Sequence, residues 1–276
     1  MNQELFYTEE TIGYIIKCEN GIKIKEKQFE LLCRTPYFSE ISEWRNKISE
    51  ENINLSNSIQ KKLFNRNNQN SFEILLSEIN KYKVNELTKQ YIEIIKELHS
   101  KKTLNIIEDL IHPFHAKIHT GCPICDIGEF RKQNVWFVEP SSENFNKGRL
   151  AAPPFESVSN LMDTWQKLYN QKTQNPILDS LLLYLIFEFI HPLENDNGKF
   201  GWLLLIIFSL KHQFYFENFI LYPSIILNDR DHFYKLLENT INYNELNPLV
   251  YFLLNNFNKI IDEDFDFQIE LKRNLF

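Results

Sequence analysis

Glycine is scarce in this chain, with seven in 276 residues. A turn-rich β fold uses glycine wherever the backbone needs positive φ, so the scarcity favours helices over a barrel or sandwich. Cysteine is also sparse: Cys18, Cys33, Cys122 and Cys125 are the only four. Their spacing reads as free thiols or metal ligands, not as a disulfide framework. There is no basic excess. Lys and Arg number 30 against 37 Asp and Glu, for a net charge of −7 and a pI of about 5.6. That argues against a general nucleic-acid binder, which carries a basic domain or stripe. The longest apolar stretch, Leu181–Ile190, is interrupted by Glu188 and stops at His191. It is too short to cross a bilayer. The N-terminal MNQELFYTEE lacks a basic start followed by an apolar run, so no secretory signal is read there. The expected compartment is the cytoplasm, with delivery into a host by a non-classical signal as the alternative. No internal repeat and no Pro/Gly/Ser linker divides the chain.

What is present is core-forming material. The chain is 43% hydrophobic and carries 23 Phe, enough for a sizeable interior. The reading is three regions: 1–95 a polar, helix-prone N-terminal region packed on the core, 96–250 the core domain, and 251–276 a helical tail. Apolar periodicity predicts helices within Phe72–Ile79, Val84–Leu98 and Ser157–Tyr169. The Asn-rich stretch 55–71 reads as including a loop. Cys122–Gly128 reads as a turn. Asn134–Val138 is a strand candidate that Leu150–Pro154 would meet as a hairpin. Asn175-Pro176 predicts an N-cap followed by proline at the first helical position. The helix 177–190 is apolar nearly all round and therefore central. A second apolar helix is predicted from Asn197 or Gly198 to about His212, and a third over Asp229–Asn242. The expected class is all-α with one small β-hairpin.

Between the two apolar helices lies His191–Lys199, HPLENDNGK. Pro192 disfavours helical geometry at His191 and marks the first helix's end. The loop brings a histidine, an Asn/Asp/Glu cluster, a glycine and a cation onto rigid supports. That set offers a base, metal ligands and an anion-binding helix start, the needs of phosphate chemistry. The plainer alternative is a histidine capping the last carbonyls of a helix, followed by an ordinary polar turn.

The loop resembles the signature of the Fic family, HPFx(D/E)GNGRxxR. His191, Pro192, Asn197 and Gly198 match it. Leu193 stands for Phe, Asn195 for the acidic metal ligand, Asp196 for the first glycine, Lys199 for the first arginine and Trp202 for the second. Gly128–Phe137 (GEFRKQNVWF) is similar to the family's segment before its β-hairpin flap. Ala151–Trp165 is similar to the flap's return, and Tyr222–Leu237 to the helix after the motif helix. The resemblance covers about residues 95–245 and implies a mainly helical Fic-like fold with a small hairpin flap.

The same resemblance implies a transferase that moves a nucleoside monophosphate, AMP first among them, or a related phosphate-linked group onto a protein hydroxyl. His191 would be the general base. Asp196, Asn197, Gly198 and Lys199 would hold the nucleotide's phosphates. Asn195 or Glu194 would hold Mg²⁺ or Mn²⁺ brought with ATP or another nucleotide. The partners are that donor and a target presenting Ser, Thr or Tyr on the 134–154 hairpin, with a homodimer as a further expectation. No nucleic acid or membrane is expected. Gly198 stands where kinase-type Doc relatives carry lysine, which argues against γ-phosphate transfer. Lys199 keeps charge without arginine's fork, and Trp202 carries none, so grip on outer phosphates should be weaker. The family's inhibitory motif [ST]xxxE[GN] is not found at Glu19, Glu51, Glu143, Glu194, Glu217 or Glu238, so regulation by that intramolecular lock is not expected. The rival is a catalytically silent Fic fold that binds a nucleotide or a partner.

A second cluster lies in HPFHAKIHTGCPIC. His115 and His119 fall one helical turn apart and Cys122 with Cys125 form a knuckle, a ligand set for structural zinc. Free thiols and solvent-facing histidines are the alternative.

Overall fold

The computed structural model describes residues 38–65, 71–80, 93–98, 105–113, 128–133, 135, 152–194, 196–215, 219 and 229–262. Its principal helices are α1 (Glu50–Asn65), α2 (Ser71–Asn80), α3 (Val158–Asn170), α4 (Pro176–Ile190), α5 (Asn197–Lys211), α6 (Arg230–Tyr243) and α7 (Leu246–Asp262). A 3-10 helix, Phe38–Lys47, precedes α1, and short 3-10 and π turns cover Phe155–Ser157 and Ile106–Ile111. The fold is mainly helical, and no strand occurs among the described residues. Of the expected hairpin, Asn134 and residues 136–151 lie outside them; between its described ends the Ala152 N–H donates to the Val135 carbonyl at 3.1 Å.

The centre is the α4–α5 pair. Both helices are apolar on every side, and both bury nearly their whole surface. Burial of this kind contributes roughly 1.5–3 kcal/mol per large side chain. α4 starts as its sequence dictates: the Asn175 side chain accepts from Leu178 N–H at 3.1 Å and Pro176 takes the first position. The same carboxamide oxygen accepts from the Ser56 hydroxyl at 2.7 Å, tying α1 to the start of α4. α3 is pinned to α4 by the Trp165 indole N–H, which donates to the buried Leu183 carbonyl at 2.8 Å.

The Asn-rich stretch from residue 55 is helical as far as Asn65, and 66–70 lies outside the described residues. Asn52, Ser56, Ile59 and Leu63 are buried. Their spacing of three and four gives α1 a narrow core-facing stripe that overrides asparagine's low helix propensity. α7 runs unbroken through residue 250, burying Leu249, Leu253, Leu254, Phe257, Ile260 and Ile261. It packs on α1, α4 and α6. Asn247 fastens its start, accepting from Ser49 N–H at 2.7 Å and donating to the Lys47 carbonyl at 3.0 Å. No helix among the described residues is long and apolar enough to cross a membrane.

Candidate active site

α4 ends at Ile190, and His191 caps it in the left-handed region, with φ 48° and ψ 59°. Its N–H still donates to the Phe187 carbonyl at 2.9 Å. The turn is left-handed where Pro192 forbids a further helical step. It is held from outside by Arg131, a fully buried arginine. The Arg131 Nε–H donates to the His191 carbonyl at 2.8 Å, and the backbone N–H of Arg131 donates to the Pro192 carbonyl at 2.8 Å. The rest of the guanidinium donates to the carbonyls of Gln133, Pro153 and Ile190.

The His191 Nδ1 faces the Glu188 carbonyl at 3.3 Å. A carbonyl only accepts, so Nδ1 carries the proton and the lone pair lies on Nε2. Burial drives the imidazole pKa down from 6.5 to about 4, the Glu188 carbonyl opposes this, and the Arg131 charge adds to the lowering. His191 is therefore a neutral imidazole across the physiological range, with Nε2 as its unprotonated nitrogen.

Asn197 is buried and spends its carboxamide on the loop. Its Oδ1 accepts from Leu193 N–H at 2.9 Å, and its Nδ2 donates to the Leu193 carbonyl at 2.8 Å. This side chain shapes the turn; what it can offer a phosphate is its backbone N–H. The first helical bond of α5 is Phe200 N–H to the Asp196 carbonyl at 3.0 Å. The amides of Asn197, Gly198 and Lys199 thus precede the intrahelical ladder, and the N-cap Asp196 side chain makes no capping bond to them. A Cβ at Gly198 would meet nothing within 4 Å among the described residues, so there is room beside this residue. Asp196, at φ 63°, pairs with Lys199 Nζ at 2.8 Å. The pair offsets the carboxylate that would otherwise repel an anion here.

The Glu194 carboxylate accepts from Gln133 Nε2 at 3.0 Å. Mg²⁺ bound together with phosphates needs one or two carboxylates. Glu194 and Asp196 fit in ligand type, each by giving up its present partner; Asn195 lies outside the described residues. No group of three or more His, Cys, Asp or Glu that could hold a metal occurs among the described residues. Trp202 is buried and stacks on Phe219, centroids 5.5 Å apart and planes 19° off parallel. The position of the second motif arginine has been absorbed into the core.

Sequence reading passed over three of these residues. Arg131 and Gln133 stand in the quoted GEFRKQ, but Arg131 grips backbone carbonyls, which leave no mark in a sequence. In the sequence Glu188 shows only as an interruption of the apolar run 181–190. Its Oε1 is buried without a hydrogen-bond partner, and burial raises its pKa to about 8. It lies against Gly201 of α5, where a Cβ would collide with it and sit 3.1 Å from the Tyr184 ring. The candidate zinc ligands His115, His119, Cys122 and Cys125 lie outside the described residues, as does the expected turn 122–127. Nearby, Gly128 adopts φ +84°, and a Cβ there would come within 2.8 Å of the His112 carbonyl.

Residues 88–209 match the model of the Fic/DOC family. The resemblance carried by HPLENDNGK is thus shown for the segment that contains α3, α4 and most of α5. The chain is also similar to a Fic family protein from Desulfovibrio desulfuricans G20, at 18% identity and a TM-score of 0.49 over 95% of this chain and 77% of that one. A Fic domain containing signaling protein from Bacteroides thetaiotaomicron VPI-5482 is similar at 15% identity and a TM-score of 0.45, over 81% and 94% of the two chains.

Proposed function

We propose that the Fic segment transfers a nucleoside monophosphate, AMP first, from a nucleotide to a Ser, Thr or Tyr hydroxyl of a protein. What supports this is His191, with its Nδ1 turned to the Glu188 carbonyl, in the same loop as the three amides that open α5 without a side-chain cap. Nε2 of His191 takes the hydroxyl proton as the oxygen attacks the α-phosphorus. The new P–O bond forms while the bond to pyrophosphate breaks, and pyrophosphate leaves with its electron pair. Asn197, Gly198 and Lys199 hold phosphate through backbone amides and the Lys199 ammonium, and Asp196 keeps that ammonium in place. Mg²⁺ or Mn²⁺, held by Glu194 with Asn195, would supply charge neutralisation. The hairpin expected over 134–154 would take the target as an added strand. His115, His119, Cys122 and Cys125 would hold a structural zinc ion.

Buried Trp202 favours a second reading, in which the site binds a nucleotide and transfers nothing. Calorimetry and a transfer assay with ATP and CDP-linked donors separate the two. The first reading expects transfer that His191→Asn abolishes while binding persists. Wild-type binding without transfer to any target would move the account to the second.

A further inference from the structure

We infer that Arg131 is a positioning residue that makes residues 131–133, 152–154 and the α4–α5 loop one mechanical unit and so fixes the pose of His191; its catalytic meaning rests on the reading just given. Three observations carry the inference. First, Arg131 is 2% exposed, yet its guanidinium bonds carbonyls from three separate segments: Gln133, Pro153, and Ile190 with His191. A buried guanidinium would be costly without such partners, and its planar fork serves several carbonyls at fixed angles as an ammonium cannot. Second, the backbone repeats the tie. Arg131 N–H bonds the Pro192 carbonyl at 2.8 Å, and Ala152 N–H bonds the Val135 carbonyl at 3.1 Å. Third, the bond at 2.8 Å falls on the carbonyl of His191 itself, in the left-handed turn that aims the imidazole. That conformation is costly for a non-glycine residue, and these bonds help to hold it.

The arrangement links the residue before the expected target-docking hairpin, Gln133, and the hairpin's expected return end, Pro153, to the base. One side chain joins the Gln133 and Pro153 carbonyls to that of His191.

The test uses the full chain, with hydrogen exchange and NMR of the His191 ring beside transfer kinetics. In the wild type, the amides of Arg131, Ala152 and Leu193, from three segments, should exchange with one common protection; widely different protections would overturn the unit. Arg131→Lys keeps the charge and loses the fork. It should move the His191 ring signals, lower the protection of all three amides together, and lower kcat by about tenfold to a hundredfold, with KM for the nucleotide little changed. Arg131→Met should in addition raise the His191 titration midpoint, since the lost positive charge and the lost burial both favour the imidazolium; the kcat-against-KM split in folded Arg131→Lys is what separates positioning from general loosening. Folded Arg131→Lys with unchanged ring signals and kcat would overturn the inference. The exchange and ring measurements do not need activity. Absent transfer in the wild type would count against the proposed reaction alone, and the common protection would still decide the role of Arg131.

Discussion

His191 and Asn197 show how much a single side chain does here. Because the folded state holds the imidazole neutral down to about 4 against an ordinary 6.5, the unfolded chain takes up a proton first as pH falls. Stability linked to His191 is complete above 6.5 and is lost as pH drops towards 4. Urea denaturation at pH 7.5 and 5 should show a smaller loss for His191→Asn than for the wild type. Asparagine suits this comparison because it tolerates the left-handed backbone. The transfer rate should likewise keep its base form well below pH 6.5 in a pH–rate profile. Asn197→Ala would leave the Leu193 N–H and carbonyl without their partner. The expected cost is about 2–3 kcal/mol, measured by denaturation, with an early loss of nucleotide binding as the turn opens.

At the level of elements, the α4–α5 contact depends on a glycine and an acid. Glu188 occupies the room that Gly201 leaves. Gly201→Ala should cost about 1–3 kcal/mol by overpacking, visible as a lower denaturation midpoint, and Glu188→Ala in the same chain should recover part of it. Burial holds Glu188 protonated up to about 8, against an ordinary 4.5. Between those values the unfolded chain is ionised and the folded chain is not, so stability falls as pH rises through that window and levels off above it. Denaturation at pH 5, 6.5 and 8 should show Glu188→Gln with a flatter profile.

These elements were legible in the sequence to different degrees. Asn175-Pro176, the all-round apolar 177–190 and the stop at Pro192 are local signals, and α4 lies at Pro176–Ile190. α5 begins at Asn197 and α6 spans Arg230–Tyr243, close to the expected ranges. α1 was obscured by its asparagines, because its core stripe is narrow and gains its meaning only against α7. The bonds from Arg131 to carbonyls far along the chain were not legible at all, since any sequence supplies a carbonyl at every residue.

On the scale of the whole molecule, the loop between two buried helices is held from both sides. The α4–α5 core fixes its ends, and Arg131 grips its carbonyls. The core has also claimed a position that the resemblance assigns to ligand binding. Trp202→Arg should not restore a phosphate grip. It would place a cation where an indole stacks on Phe219, and the lost packing alone is worth about 3–5 kcal/mol, so thermal unfolding should come at lower temperature. Transfer through His191 is open to direct measurement. Its most direct test is intact-mass spectrometry of the protein, alone and with a lysate, incubated with Mg²⁺ or Mn²⁺ and a panel of nucleotides and CDP-linked donors. The account predicts a mass gain equal to a nucleoside monophosphate or a related phosphate-linked group, on a protein hydroxyl, that is absent with His191→Asn. No gain from any donor with folded wild-type protein, or a gain unchanged in His191→Asn, would contradict it.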